Sequence, residues 1–127
     1  MKRLLRKVFT KVKEFFKKVI SKNKVNKFTL YIGLNDKDTR KQEVSIEEGK
    51  EVISTIFAKN GIEGATFLDA KGIYTYVSGD TEEENSFKIE VLFSTKKQIK
   101  RTIEEIKQQL NQESVALVQE KIRSSLI

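Results

Sequence analysis

Cysteine and histidine are both absent from the 127 residues of this chain. Without cysteine there is no disulfide, no thiolate metal site and no thiol nucleophile. Without histidine the chain lacks the commonest general base and the commonest transition-metal ligand. Zinc and haem chemistry are disfavoured, so no metal site, no cofactor and no enzymatic activity are expected. Long apolar runs are missing too: none approaches the roughly 18 residues needed to span a bilayer. In the first 24 residues charges break up the apolar pairs, so no secretory core region forms. Together these absences lead to the expectation of a cytoplasmic protein.

What is present is charge, unevenly placed. The chain carries a net +7, yet residues 1–28 hold eleven Lys or Arg and one acid, Glu14, while residues 29–127 hold fourteen basic and seventeen acidic residues. Any attraction to a polyanion therefore belongs to the first segment and not to residues 29–127. In that first segment Met1, Leu4, Leu5, Val8, Phe9, Val12, Phe15, Phe16, Val19 and Ile20 recur at gaps of one, three or four. Such spacing makes one broad helical face. Lys2, Arg3, Arg6, Lys7, Lys11, Lys13, Lys17 and Lys18 fill much of the opposite side, before "SKNKVN" breaks the pattern. We read residues 1–24 as a basic amphipathic helix, 25–27 as a linker and 28–127 as a domain.

Three surfaces suit such a helix. Its face, with Leu4, Leu5, Val8, Val12, Phe15, Phe16 and Val19, can dock on protein, either its own domain or a second copy, giving self-association. It can instead lie on an anionic membrane with its cations toward lipid phosphates, which would place the chain at the inner membrane face. Nucleic acid is the least expected, because phosphate contact needs charge but no apolar stripe.

The domain alternates its pattern between strand and helix. "KFTLYIGL" sets Phe28, Leu30, Ile32 and Leu34 against Thr29, Tyr31 and Gly33, a period of two. Ser45 with Glu48 makes a capping box for a helix carrying Val52, Ile53, Ile56 and Phe57 inward and ending at Asn60-Gly61. "ATFLDAKGIYTYVSGD" reads as a second strand with a bulge at Gly72, and "EEEN" as a solvated acidic hairpin tip. "SFKIEVLF" points Phe87, Ile89, Val91 and Phe93 one way and Lys88, Glu90 and Leu92 the other. Thr95 with Gln98 caps a helix striped by Ile99, Ile103, Ile106 and Leu110, and "ESVALVQEKI" closes as a strand. The order βαββαβ predicts an α+β ferredoxin-like sandwich, a four-stranded antiparallel sheet with both helices on one face, preceded by the amphipathic helix.

At Leu30-Tyr31-Ile32-Gly33-Leu34 the chain resembles a family of small bacterial proteins catalogued as a domain of unknown function. The likeness continues at Gly64, Thr66, Asp69 and Gly72, then at Glu84 and Ser86, and again at Gln112-Glu113-Ser114-Val115, covering about residues 28–122. The resemblance implies a ferredoxin-like fold and no established activity. Some members of that family are exported or lipid-anchored, and the basic helix here departs from them.

Tyr31, Asn35, Thr66, Tyr74, Gln112 and Ser114 are the candidate ligand-binding residues, because they are polar and several fall within those motifs. A pocket would sit beside the end of the first strand and the 112–114 corner. Structural roles compete: an Asx turn for Asn35-Asp36 and Asp38, helix-end carbonyls for Gln112 and Ser114. "GIEGA" lacks the lysine and helix start of a phosphate loop. RNA-recognition domains share the strand order but stack bases on aromatics of the first and third strands. The corresponding face of the third strand here offers Lys88, Glu90 and Leu92, which disfavours nucleic acid. The expectation is a non-enzymatic, self-associating binding module. The alternatives are a peripheral membrane protein or a sponge or inhibitor for a small anionic ligand or a host protein.

Overall fold

A computed structural model describes residues 2–22 and 24–127, with side chains for residues 3–13 and 24–127. The side chains of Lys2, Phe15, Phe16, Lys17, Lys18 and Val19 lie outside the described residues, as do Met1 and Asn23. Helix α1 (Lys2–Lys22) is followed by β1 (Lys24–Gly33), α2 (Ile46–Lys59), β2 (Ala65–Thr75), β3 (Thr81–Val91), α3 (Lys96–Gln109) and β4 (Ala116–Arg123). The sheet order is β2-β3-β1-β4 with every neighbour antiparallel. This is the ferredoxin-like α+β sandwich that the alternation predicts. Among the described residues no helix is long and apolar enough to cross a membrane.

The pleat decides which residues meet the helices. Phe28, Leu30 and Ile32 of β1 and Phe87, Ile89 and Val91 of β3 are buried against Ile53, Ile56 and Phe57 of α2 and Ile99 and Ile106 of α3. Val52 and Ile103 pack at the margin of this core. Both helices start as their sequences indicate: Ser45 accepts from the Glu48 N–H, and Thr95 and Gln98 form a reciprocal capping box. Gly61, just past α2, takes φ +75°, the left-handed conformation that suits glycine.

Four local expectations give way. Residues 25–27 are not a linker but the start of β1, paired with β4 from Lys24↔Arg123 onward. The β2–β3 ladder runs without interruption from Ala65↔Val91 to Thr75↔Thr81, so Gly72 makes no bulge. "EEEN" is not the hairpin tip: the turn is Tyr76–Asp80, closed by Tyr76 N–H to the Asp80 carbonyl at 2.8 Å, and Glu82–Asn85 lie within β3. Phe93 leaves the core stripe because β3 ends at Val91; it takes φ +61° and is exposed.

Thr102 faces the core from α3, fully buried, and its hydroxyl has no hydrogen-bond partner among the described residues. An unsatisfied buried hydroxyl costs about 1–3 kcal/mol. Thr102→Val keeps the shape and removes the polar atom, so it is expected to stabilise the fold by about 1 kcal/mol in urea denaturation. A loss of stability would show that the hydroxyl is satisfied in solution.

Candidate functional site

The hairpin β2–β3 outruns the strand beside it. β1 stops at Gly33, opposite Ser86, whereas β3 and β2 continue past Glu84↔Gly72 to the turn. The helix-free face of the sheet therefore has a row of small residues across three strands, Ala70, Ser86 and Gly33, with Gly72 beside it. This row is the floor of a trough of about 390 Å³, within the range of small-ligand sites. Tyr31, which is 44% exposed, borders it on the sheet, and Tyr74 and Tyr76 border it on the hairpin. The two hairpin tyrosines meet edge to face, ring centres 5.2 Å apart.

Glu84 lies at the centre of this arrangement. A Cβ on Gly33 would collide with the Glu84 carboxylate, so the absence of a side chain at 33 is what admits it. One carboxylate oxygen accepts the Asn35 N–H at 3.1 Å, and the Asn35 side chain donates to the Glu83 carbonyl at 3.3 Å. Among the described residues no Lys or Arg forms an ion pair with Glu84. Burial pushes its carboxyl above the ordinary glutamate range, the Asn35 bond offsets part of that, and the charge of Glu82 adds to it.

The remaining wall is the corner between α3 and β4. Gln112 donates to the Asn35 carbonyl at 2.8 Å and to the Leu110 carbonyl at 3.3 Å, tying the exit of β1 to the end of α3. Asp36 accepts from the Asp38 and Thr39 N–H groups, an Asx turn, and from the Asn111 side chain at 3.0 Å. The Tyr74 hydroxyl donates to Glu113 at 2.9 Å and lies 3.0 Å from the Ser114 hydroxyl. The Ser114 bond lowers the Tyr74 pKa, but burial and the bond and charge of Glu113 outweigh it, so the phenol stays protonated beyond its usual range. Arg40 stacks over Tyr76 with its guanidinium 4.5 Å from the ring centre and pairs with Asp80, clamping the hairpin turn.

Of the six candidate residues read from the sequence, Tyr31, Asn35, Tyr74, Gln112 and Ser114 line this one trough. Thr66 does not: it lies at the opposite end of β2, in a separate depression with Gly64, Glu90 and Phe93. Sequence reasoning passed over Glu84, Tyr76 and Glu113 as site residues. Glu84 did carry a signal, since it is one of the positions of the family resemblance. Chemically, the trough offers a carboxylate with no ion-pair partner among the described residues, beside tyrosine rings, a setting that attracts a cation. Lys37, Lys71 and Lys88 at its border supply the opposite charge.

The family described as "Protein of unknown function (DUF3574)" matches residues 27–126, and the chain belongs to it. No curated protein matches the chain. Among solved structures, a phage SAM lyase in complex with S-methyl-5'-thioadenosine shares 25% identity at a TM-score of 0.58, covering 79% of this chain and 90% of that one. The phage SAM lyase in its apo state gives 25% and 0.60, covering 81% and 86%. The periplasmic divalent cation tolerance protein CutA from Archaeoglobus fulgidus has the same fold, at 15% identity and a TM-score of 0.53, covering 79% and 87%.

A carboxyl whose folded pKa lies above its unfolded value stabilises the fold most when protonated. That contribution is complete below the ordinary glutamate value and is lost as pH rises through the folded one. Glu84→Gln is permanently neutral, so it is expected to melt higher than the parent at pH 7. The difference should shrink to nothing as pH falls below the ordinary glutamate range. Thermal melts of both proteins across that interval check the sign.

Proposed function

We propose that this chain is a small-ligand module whose trough binds S-adenosylmethionine or an adenosyl thioether derived from it. The observation that carries the reading is the Glu84 carboxylate, held by a backbone N–H but by no cation among the described residues, at the floor of a tyrosine-bordered trough. S-Adenosylmethionine brings a flat base, a sulfonium and a zwitterionic amino-acid arm. Tyrosine rings suit the base and a sulfonium, Glu84 suits a positive centre, and the border lysines suit the arm's carboxylate. An anionic metabolite, the alternative drawn from the sequence, would meet the Glu84 charge instead. The 25% likeness to the phage SAM lyase supports the same ligand class.

That likeness also favours a second reading, in which the bound ligand is cleaved to S-methyl-5'-thioadenosine. A sulfonium leaves as a neutral thioether: the bond electrons return to sulfur, so no acid, thiol or imidazole is required. The carbon left behind is satisfied by closure of the arm's own carboxylate or by loss of a neighbouring proton to a base. Of the two carboxylates lining the trough, Glu113 is engaged by the Tyr74 hydroxyl, which leaves Glu84 as the base of this reading. The absence of histidine and cysteine does not count against chemistry of this kind.

Calorimetric titration with S-adenosylmethionine and with S-methyl-5'-thioadenosine tests the binding. Glu84→Gln is expected to weaken the first by about tenfold or more and the second far less, because only the first carries positive charge. Gly33→Ala should act like Glu84→Gln by displacing the carboxylate without removing it. Chromatography of the incubated mixture separates the two readings: intact ligand indicates capture, released thioether a lyase. If neither compound binds, the ligand class is wrong. Light scattering over a range of concentrations checks the self-association expected of the module.

A further inference from the structure

The Glu84 trough leaves the most strongly charged element of the chain unexplained. In the described part of α1, Leu4, Leu5, Val8, Phe9 and Val12 are between 43% and 66% exposed. At 3.6 residues per turn these five share an arc of about 140° that contains no other residue of 3–13. Arg6 and Lys13 border the arc on one side, Lys7 and Lys11 on the other, and Arg3 and Thr10 lie opposite its centre. Lys13 sits over the Phe9 ring, 5.1 Å from its centre, where a border cation belongs.

The helix is also poorly matched to water. Its first turn contains no acid, so cations sit at the positive end of the macrodipole without compensation. A surface of negative charge corrects both faults at once, by covering the stripe and neutralising the cations on each side of it. A protein groove would need acids along both margins of one apolar slot. A lipid surface presents phosphates on every side of its acyl region.

We propose that α1 docks the chain on an anionic phospholipid bilayer, lying in the plane of the interface. The apolar stripe enters the acyl boundary, and Arg6, Lys7, Lys11 and Lys13 remain at phosphate level. This inference uses no residue of the trough.

Co-sedimentation of the full chain with vesicles tests it, comparing phosphatidylcholine alone with phosphatidylcholine containing about 30% phosphatidylserine. We expect partition onto the anionic vesicles to exceed that onto the neutral ones by about tenfold or more at low ionic strength, and to fall as salt rises. Val8→Glu, in the centre of the stripe, and Lys7→Glu with Lys11→Glu, on its border, should each abolish most of the binding. All three positions are exposed, so melting of the domain and titration of its ligand should not change. Absence of binding at low salt overturns the proposal. So does full binding by Val8→Glu, which would reduce the helix to a polybasic tether. A third overturning result is no vesicle binding together with a drop in oligomer mass for the same variants, which would assign the stripe to a protein partner.

Discussion

The pleat gives each residue of a strand one side of the sheet to fill, and at Gly33 that side is empty. The Glu84 carboxylate from the neighbouring strand lies in the space a Cβ would take, and from there it reaches the Asn35 N–H. Asn35 is thereby fixed just as the chain leaves β1, which places its carbonyl where Gln112 can donate. Gln112 in turn sets the corner where Glu113 accepts from the Tyr74 hydroxyl and the Ser114 hydroxyl lies beside it. Strand end, hairpin and helix corner are thus linked in one hydrogen-bonded circuit. Each link is weak alone, about 1 kcal/mol net. One of these links, Glu84 to Asn35, uses the space left by a missing side chain.

The same placement carries an electrostatic cost. A half-buried carboxylate with one backbone donor and no ion-pair partner is less stable charged than it would be in water, which is why its pKa rises. A folded domain has no structural need for it, since a glutamine would accept the same bond. Groups held at such a disadvantage concentrate where a ligand supplies what the protein withholds. Arg40, by contrast, is fully engaged with Tyr76 and Asp80 at the hairpin turn. The site leaves the Glu84 carboxylate without an ion-pair partner among the described residues, and secures the surrounding frame with paired groups.

The fold was legible where one physical rule acted without competition. Alternation through Phe28–Ile32 and Phe87–Val91 could serve only a sheet buried on one side, and the caps at Ser45 and Thr95 marked helix starts independently. It was illegible where register decides. Three consecutive glutamates read as a solvated tip, yet the turn at Tyr76–Asp80 shifts them into β3 and gives them alternate sides. Glu84 then faces the trough with Ser86. Thr66 lies apart for the complementary reason: it shares a motif with its neighbours, but eight residues of strand put it about 26 Å from Tyr74. Tyr31, Asn35, Tyr74, Gln112 and Ser114 share one trough because the end part of β1, the β2–β3 hairpin and the α3–β4 corner meet there. Glu84 lies mid-strand, and apart from its place in the family resemblance only the vacancy at Gly33 distinguishes it.

If the trough binds a sulfonium ligand as proposed, the position of Glu84 along it separates capture from catalysis. Facing sulfur, the carboxylate would stabilise a charge that disappears as the thioether forms, so it would tighten binding and slow bond breaking. Facing the arm's ammonium, it would hold a charge that persists throughout, improving affinity without penalty to the reaction. Facing the proton next to the breaking bond, it would accelerate the reaction directly. Removing its charge therefore has a different signature in each case: faster turnover with weaker binding in the first, weaker binding at unchanged turnover in the second, and lost turnover in the third. On the reading proposed above, the place of this one carboxylate along the ligand decides between capture and cleavage.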